Sequence, residues 1–233
     1  VSVRKALAGE LVPDAVNVKG GAIHDEIRPS LPLVEKMAQL ATALAGETPV
    51  SMSITVKGDI SEHDSSVLAI SALKGVLTGS GIEAVSYVNA PGLAAERGLT
   101  SAVTTTPDSP EYRSMISLHA ALANGKSIKV DGTLMGIRKV EKIIATDNFD
   151  LDLPPTENLL FLRYVDKPGV VGAVGNALGS AKINIAGMQV ARESAGGKAL
   201  MVLTVDSAVS DAVAEAVKKE TGADLVRSVT LVS

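Results

Sequence analysis

The stretch that decides the fold runs ENLLFLRYVDKPGVVGAVGNALGSAK over 157–182 and continues INIAGMQVARESAGGKALMVLTVD over 183–206. ENLLFLRYVD is an apolar run of strand length, bounded by Pro154-Pro155 before it and Lys167-Pro168 after it. DKPGVVGAVGNALGSAK reads as a helix opened by Asp166 and Pro168. INIAGMQVARES and KALMVLTVD are two strands joined by the turn Ala195-Gly196-Gly197. Beyond them, SDAVAEAVKKETGA predicts a helix capped by Ser210, with Lys218 and Lys219 in its last turn and Gly222 past its end. DLVRSVTLV closes as a strand. The order is β-α-β-β-α-β, the ferredoxin-like arrangement.

Upstream of this segment the pattern changes. Leu33–Leu44 places Leu33, Met37, Leu40, Ala41 and Leu44 on one helical face. Residues 49–60 alternate around Val50, Met52, Ile54 and Val56, which predicts a half-buried strand. Residues Ser61 to Asp64 are expected to cap a helix carrying the stripe Val67, Ile70, Leu73, Leu77. A strand end at SYVN, a short helix from Pro91 and the Thr-rich strand LTSAVTTTP follow. Two further strands flank Asn124-Gly125, a strong hairpin signal, and IRKVEKIIATDNFDLDL continues the sheet. The expected class is α+β: an intervening α/β sandwich-like domain over 33–153, then the ferredoxin-like βαββαβ domain over 154–233. Residues 1–32 read as a short helix around Val3–Leu11 and a hinge-like connector at Gly20-Gly21.

Composition narrows the function classes. The 233 residues carry 22 Lys+Arg against 26 Asp+Glu, a net charge of -4, with 2% aromatics and no Trp. Single-stranded nucleic-acid platforms need stacking rings and a basic groove, so no nucleic-acid partner is expected. Zero Cys excludes thiol nucleophiles and Cys-ligated metals, and fits a cytoplasmic protein. No apolar run approaches the ~18 residues of a membrane span, so no membrane partner is expected. The first residues lack a secretion signal and a Met, and read as a chain entered mid-protein.

Few motifs carry chemistry. Gly169, Gly172 and Gly175 have the wrong spacing for a dinucleotide-binding turn, and Gly125-Lys126-Ser127 lacks the earlier Gly of a phosphate loop, having Ala120 there. His24, His63 and His119 show no ligand spacing, so no metal is expected. No catalytic grouping is visible. The turn Tyr164-Val165-Asp166-Lys167-Pro168-Gly169, however, puts backbone N–H groups at a helix entrance beside a carboxylate. The helix end suits an α-carboxylate and Asp166 an ammonium, with Asn184 offering donor and acceptor atoms. Pattern alone leaves open the alternative that Asp166 is only a cap and Asn184 only a turn residue.

Tyr-Val-Asp-Lys-Pro-Gly-Val-Val-Gly followed by Ile183-Asn184-Ile185-Ala186-Gly187-Met188 resembles an ACT domain. VRKALAGELVPDAVNVKGG, VNAPGLAAERGL and VDGTLMGIRKVEKI resemble, in order, the end of the substrate-binding domain and the intervening domain of long-form D-3-phosphoglycerate dehydrogenases. The resemblance implies a parent enzyme that oxidises 3-phosphoglycerate with NAD in the first step of L-serine biosynthesis, with L-serine as feedback effector. The family's dinucleotide loop and catalytic Arg, Glu and His would lie upstream of Val1. This chain is therefore expected to have no cofactor and no turnover alone. Carried over, the effector pocket comprises Tyr164, Asp166, Pro168, Gly169, Asn184 and Ile185, with Asn184 reaching the ligand from a partner chain. An anion such as phosphate or a phosphorylated substrate is expected at Arg138, Lys139 and Lys142, although Asp152 and Thr204 stand where cations can occur. Gly20 and Gly21 become the hinge. A homo-oligomer through both domains is implied; the alternative is an oligomerisation module that needs no ligand.

Overall fold

The computed structural model describes residues 23–232, as two compact units that divide between Ile144 and Ala145. The expected helix around Val3–Leu11 and the Gly20-Gly21 hinge lie outside the described residues.

In the first unit, α1 (Ser30–Ala45) packs against α2 (Leu68–Gly79), and the short α3 (Ala90–Glu96) follows. Strands β1 (Ser51–Gly58), β2 (Thr100–Thr106), β3 (Ser114–Ala121), β4 (Ser127–Met135) and β5 (Val140–Thr146) run in the order β2-β1-β3-β4-β5. Only the β1–β2 pair among these neighbours is parallel in the registers observed, because α2 and α3 supply the crossover between them. Met52, Ile54 and Val56 oppose Ala120, Leu118 and Ile116, and all six are buried. The same face continues to Gly132, where a side chain would meet Met37 Sδ at 2.7 Å, so α1 lies directly over it.

Helix α1 begins three residues earlier than its periodicity predicts. Pro32 falls in its first turn, where a missing N–H costs nothing. Gly46 at φ 72° ends it, donating to Thr42 O. Two other expectations are corrected. Asp64 does not cap α2: its carboxylate accepts from the Ser66 N–H at 3.0 Å, and α2 starts only at Leu68. SYVN is a turn rather than a strand end, because Ser86 N–H donates to Asn89 Oδ1 at 2.7 Å and closes it. The Asn124-Gly125 hairpin forms with Gly125 at φ 80°, and Lys126 N–H donates to Asn124 Oδ1.

The second unit begins with β6 (Phe149–Leu153) and then folds as βαββαβ: β7 (Asn158–Val165), α4 (Val170–Ser180), β8 (Ile185–Arg192), β9 (Lys198–Val205), α5 (Asp211–Thr221), β10 (Leu225–Thr230). Its antiparallel pairs give the sheet order β10-β7-β9-β8, so β8 is an edge. Leu160, Leu162, Tyr164, Met201 and Leu203 form the helix-facing layer with Val170, Val174, Leu178 and Val217. Gln189 clips β6 to β8, donating from Nε2 to Asp152 O at 2.9 Å and accepting the Asp152 N–H at 3.1 Å. Helix α4 is not opened by Asp166. Its N-cap is Gly169 at φ 95°, a left-handed conformation that any side chain would strain. Ser210 does occupy the N-cap of α5, but its hydroxyl makes no capping bond; Gly222 at φ 72° ends that helix, as expected.

Candidate functional site

The registers bring one set of groups together at the β7–α4 end of the second sheet. Tyr164 on β7 and Arg192 on β8 both oppose Ala199 on β9, so the three side chains share one face in a row. The short Ala199 methyl between them leaves room for the two long side chains. Asp166 follows β7 directly, its N–H donating to Gly197 O at 2.8 Å. Arg192 Nη1 donates to Asp166 Oδ2 at 3.2 Å. Burial pushes the Tyr164 phenol above its usual range; the Asp166 charge adds to this and Arg192 opposes it. Pro168 and Gly169 are exposed at the mouth of the turn. A side chain at Gly169 would meet nothing within 4 Å, so the helix entrance opens to solvent.

Asn184 is not part of that cluster. Its carbonyl accepts from the Asp206 N–H at 3.2 Å, and its Nδ2 donates to Asp206 Oδ2 at 2.9 Å. Asp206 follows the end of β9 while Gly197 precedes its start, which separates Asn184 from Asp166 by roughly 25–30 Å at ~3.3 Å per residue. Ile185 lies at the Asn184 end, half-buried against the core. The sequence therefore named residues from both ends of the sheet. Arg192 was not foreseen; its position as the last strand residue before the Gly196-Gly197 turn was the available signal.

The first unit holds a separate cleft of about 1000 Å³ between the start of α1, the turn after β1 and the β3 and β4 ends, with Ser30, His63, Arg113 and Lys139 among its lining. Two ion pairs hold the cations of its lining. Lys139 Nζ meets Glu26 Oε2 at 2.7 Å and, through that hydrogen bond, holds the Glu26 carboxyl below its usual range. Arg113 Nε meets Asp59 Oδ2 at 2.6 Å, which raises the guanidinium further. His24 and His63, far apart in sequence, stack with ring centroids 3.7 Å apart. His119 is an exposed strand residue opposite Lys129.

The three residues expected to hold an anion lie on β5 and in the turn before it. Arg138 is exposed in the β4–β5 turn, Lys139 is committed to Glu26, and Lys142 is half-buried on β5. Gly172 and Gly175 lie inside α4, so with the N-cap Gly169 they make no dinucleotide turn. Among the described residues, no group of three or more His, Asp or Glu could hold a metal, and no helix is long and apolar enough to cross a membrane.

Comparison with known proteins matches both units. The D-3-phosphoglycerate dehydrogenase intervening domain matches residues 26–146, and the ACT domain matches 158–222. D-3-phosphoglycerate dehydrogenase of Mycobacterium leprae is 40% identical over 230 residues, covering 99% of this chain and 44% of its own length. The Mycobacterium bovis enzyme is 42% identical over 216 residues, covering 93% and 41%. That of Synechocystis is 32% identical over 223 residues, covering 94% and 40%. The chain thus spans less than half the length of these curated relatives. With the intervening domain matched over more than half of its residues and an ACT domain behind it, the chain belongs to the D-3-phosphoglycerate dehydrogenase family.

Proposed function

We propose that the chain is the regulatory and oligomerising portion of a D-3-phosphoglycerate dehydrogenase, and that its ACT domains bind L-serine as feedback effector between two paired copies. The observation that carries this reading is the Tyr164–Asp166–Arg192 cluster beside the open entrance of α4. Asp166 supplies a partner for the ammonium, and the helix entrance supplies N–H groups for a carboxylate.

The distance to Asn184 is resolved by a second copy. Strand β8 is an edge, and edges pair readily with another strand. Antiparallel pairing about a dyad through Met188 lays the partner subunit's Asn184 opposite Arg192, next to Asp166. Two equivalent pockets result, each drawing on both chains. Serine bound there favours the paired arrangement, and only such unequal binding to two states can regulate anything. Oxidation of 3-phosphoglycerate with NAD, in the cytoplasm, belongs to parts of the enzyme outside this chain. In the intervening domain, a phosphate-like anion at Arg138 and Lys142 would have to draw Lys139 away from Glu26.

Titration of the chain with L-serine by calorimetry, alongside sedimentation, tests this. Saturable binding linked to dimerisation is expected; a folded dimer with no heat at millimolar serine overturns it. The exposed Val190 on the open edge favours a second reading, in which the ACT domain assembles copies without any ligand. In that case no amino acid shifts the melting temperature while the oligomer persists. Incubation with NAD and 3-phosphoglycerate should give no turnover.

A further inference from the structure

We infer that Arg192 is the carboxylate-reading residue of the ACT pocket, so that the Asp166–Arg192 pair, rather than the helix entrance alone, selects ligands bearing both an ammonium and a carboxylate. This rests on the effector reading above and adds the residue that holds the ligand's carboxylate.

Three observations support it. First, the register fixes Arg192 in place: it ends β8 opposite Ala199, in line with Tyr164, so its guanidinium extends over the small Ala199 toward the β7–α4 turn. Second, the contact with Asp166 is a single hydrogen bond at 3.2 Å from Nη1, one of five guanidinium donors, and both partners stay reachable from solvent: their side chains are 57% and 21% exposed. A planar fork with donors to spare is the group best shaped for a carboxylate. Third, Tyr164 stands in the same cross-strand row as Arg192, on the strand that ends just before Asp166, so the phenol, the carboxylate and the guanidinium lie at the same end of the sheet.

The helix entrance begins at Gly169 and opens to solvent, and Arg192 adds a full positive charge beside it. In the free protein Arg192 and Asp166 neutralise each other. A zwitterion can insert between them, its ammonium replacing the Arg192 contact on Asp166 and its carboxylate replacing the Asp166 contact on Arg192, without stranding a charge. A ligand with only one of the two groups leaves one side chain uncompensated.

Calorimetry of the full chain with L-serine, serinol (no carboxylate) and D-glycerate (no ammonium) tests this in wild type, Arg192→Gln and Arg192→Lys. Wild type should prefer serine over both analogues by about tenfold or more, the range of a charge-assisted pair. Arg192→Gln should lose about tenfold or more for serine and little for serinol, and Arg192→Lys should fall between. Serine binding by Arg192→Gln as tight as wild type, or tighter, makes Arg192 a competitor for Asp166 and overturns the inference. So does an equal loss for serine and serinol in a folded variant. Absence of serine binding in wild type instead overturns the effector reading itself.

Discussion

Asp166 and Asn184 sit at opposite ends of β9: Asp166 is tied by its N–H to Gly197 before the strand, and Asn184 by its carbonyl to Asp206 after it. Two residues that a local sequence motif groups together are thus separated by the full length of a sheet. In the proposed pairing, antiparallel addition of a second β8 edge returns them to one place, which would tie ligand binding to assembly because each monomer would carry half of each pocket.

Replacing Asp166 with Ala should abolish serine binding while leaving the fold intact. Gly169, not Asp166, caps α4, so no cap is lost. What remains is a solvent-accessible ion pair with Arg192, worth at most about 1 kcal/mol. Urea unfolding of Asp166→Ala should therefore shift by no more than this. A loss near 2 kcal/mol would mean that Asp166 holds the helix entrance together in a way its contacts do not reveal.

Val190→Asp should convert the chain to a species that does not pair through β8. Val190 is 42% exposed on that edge strand, an apolar side chain well inside its length. A carboxylate on this strand must give up water when a second strand covers the edge, and inward-facing charge is a known block to edge pairing. Sedimentation should show loss of this association with circular dichroism unchanged, and serine heats should disappear with it. Retained serine binding by a monomer would contradict the shared pocket.

The ferredoxin-like unit was legible from sequence because each element carries a local signature: apolar strand runs, Ser210 before and Gly222 after the last helix, and a Gly-Gly turn. Tyr164 and Asp166 were legible for the same reason, lying in one contiguous turn. Arg192 was not, since its place depends on the registers with Ala199 that align three strands. The His24–His63 stack was equally hidden, being a contact between residues 39 positions apart that no periodicity encodes. Ser86-Tyr87-Val88 misled as a strand because its β-forming residues are overridden by the Ser86–Asn89 hydrogen bonds.

Alkaline pH should destabilise the first unit through Tyr87. Burial, chiefly, and then the Glu35 carboxylate push its phenol well above the ordinary range. An unfolded Tyr ionises near pH 10, so above that pH the native state holds a proton that the unfolded chain has released. Stability then falls as pH rises, and the contribution is intact below about pH 10. Urea midpoints from pH 8 to 12 should drop more steeply in wild type than in Tyr87→Phe. Tyr164 is shifted in the same direction, so the slope should lessen rather than vanish. Parallel slopes would exclude Tyr87 as the source.

Lys74→Met should cost about 3–5 kcal/mol, the usual penalty for stranding a buried charge. Lys74 Nζ meets Glu35 Oε1 at 2.6 Å between α2 and α1, with side-chain exposures of 12% and 8%, and Tyr87 adds a longer bond to the same carboxylate. Methionine keeps the volume and removes the partner. Glu35→Gln combined with Lys74→Met should recover much of the loss; a double variant as unstable as the single one would place the cost in packing instead.

The same substitution, Gly to Ala, should have opposite signs at two helical positions. At Gly75 in α2 a Cβ would lie 2.3 Å from the Glu35 carbonyl oxygen and 2.7 Å from the Ala38 Cβ, so the two helices touch through this glycine. Backbone cannot yield as a flexible side chain can, and forcing α1 and α2 apart should cost about 1–3 kcal/mol. At Gly172 in α4 the added methyl meets nothing within 4 Å, and the position is exposed. There the higher helix propensity of alanine should stabilise the ACT domain by about 0.5–1 kcal/mol. Thermal unfolding should thus rise for Gly172→Ala and fall for Gly75→Ala. If Gly172→Ala stabilised the monomer yet weakened dimerisation in sedimentation, the open face of α4 would itself belong to the contact between copies.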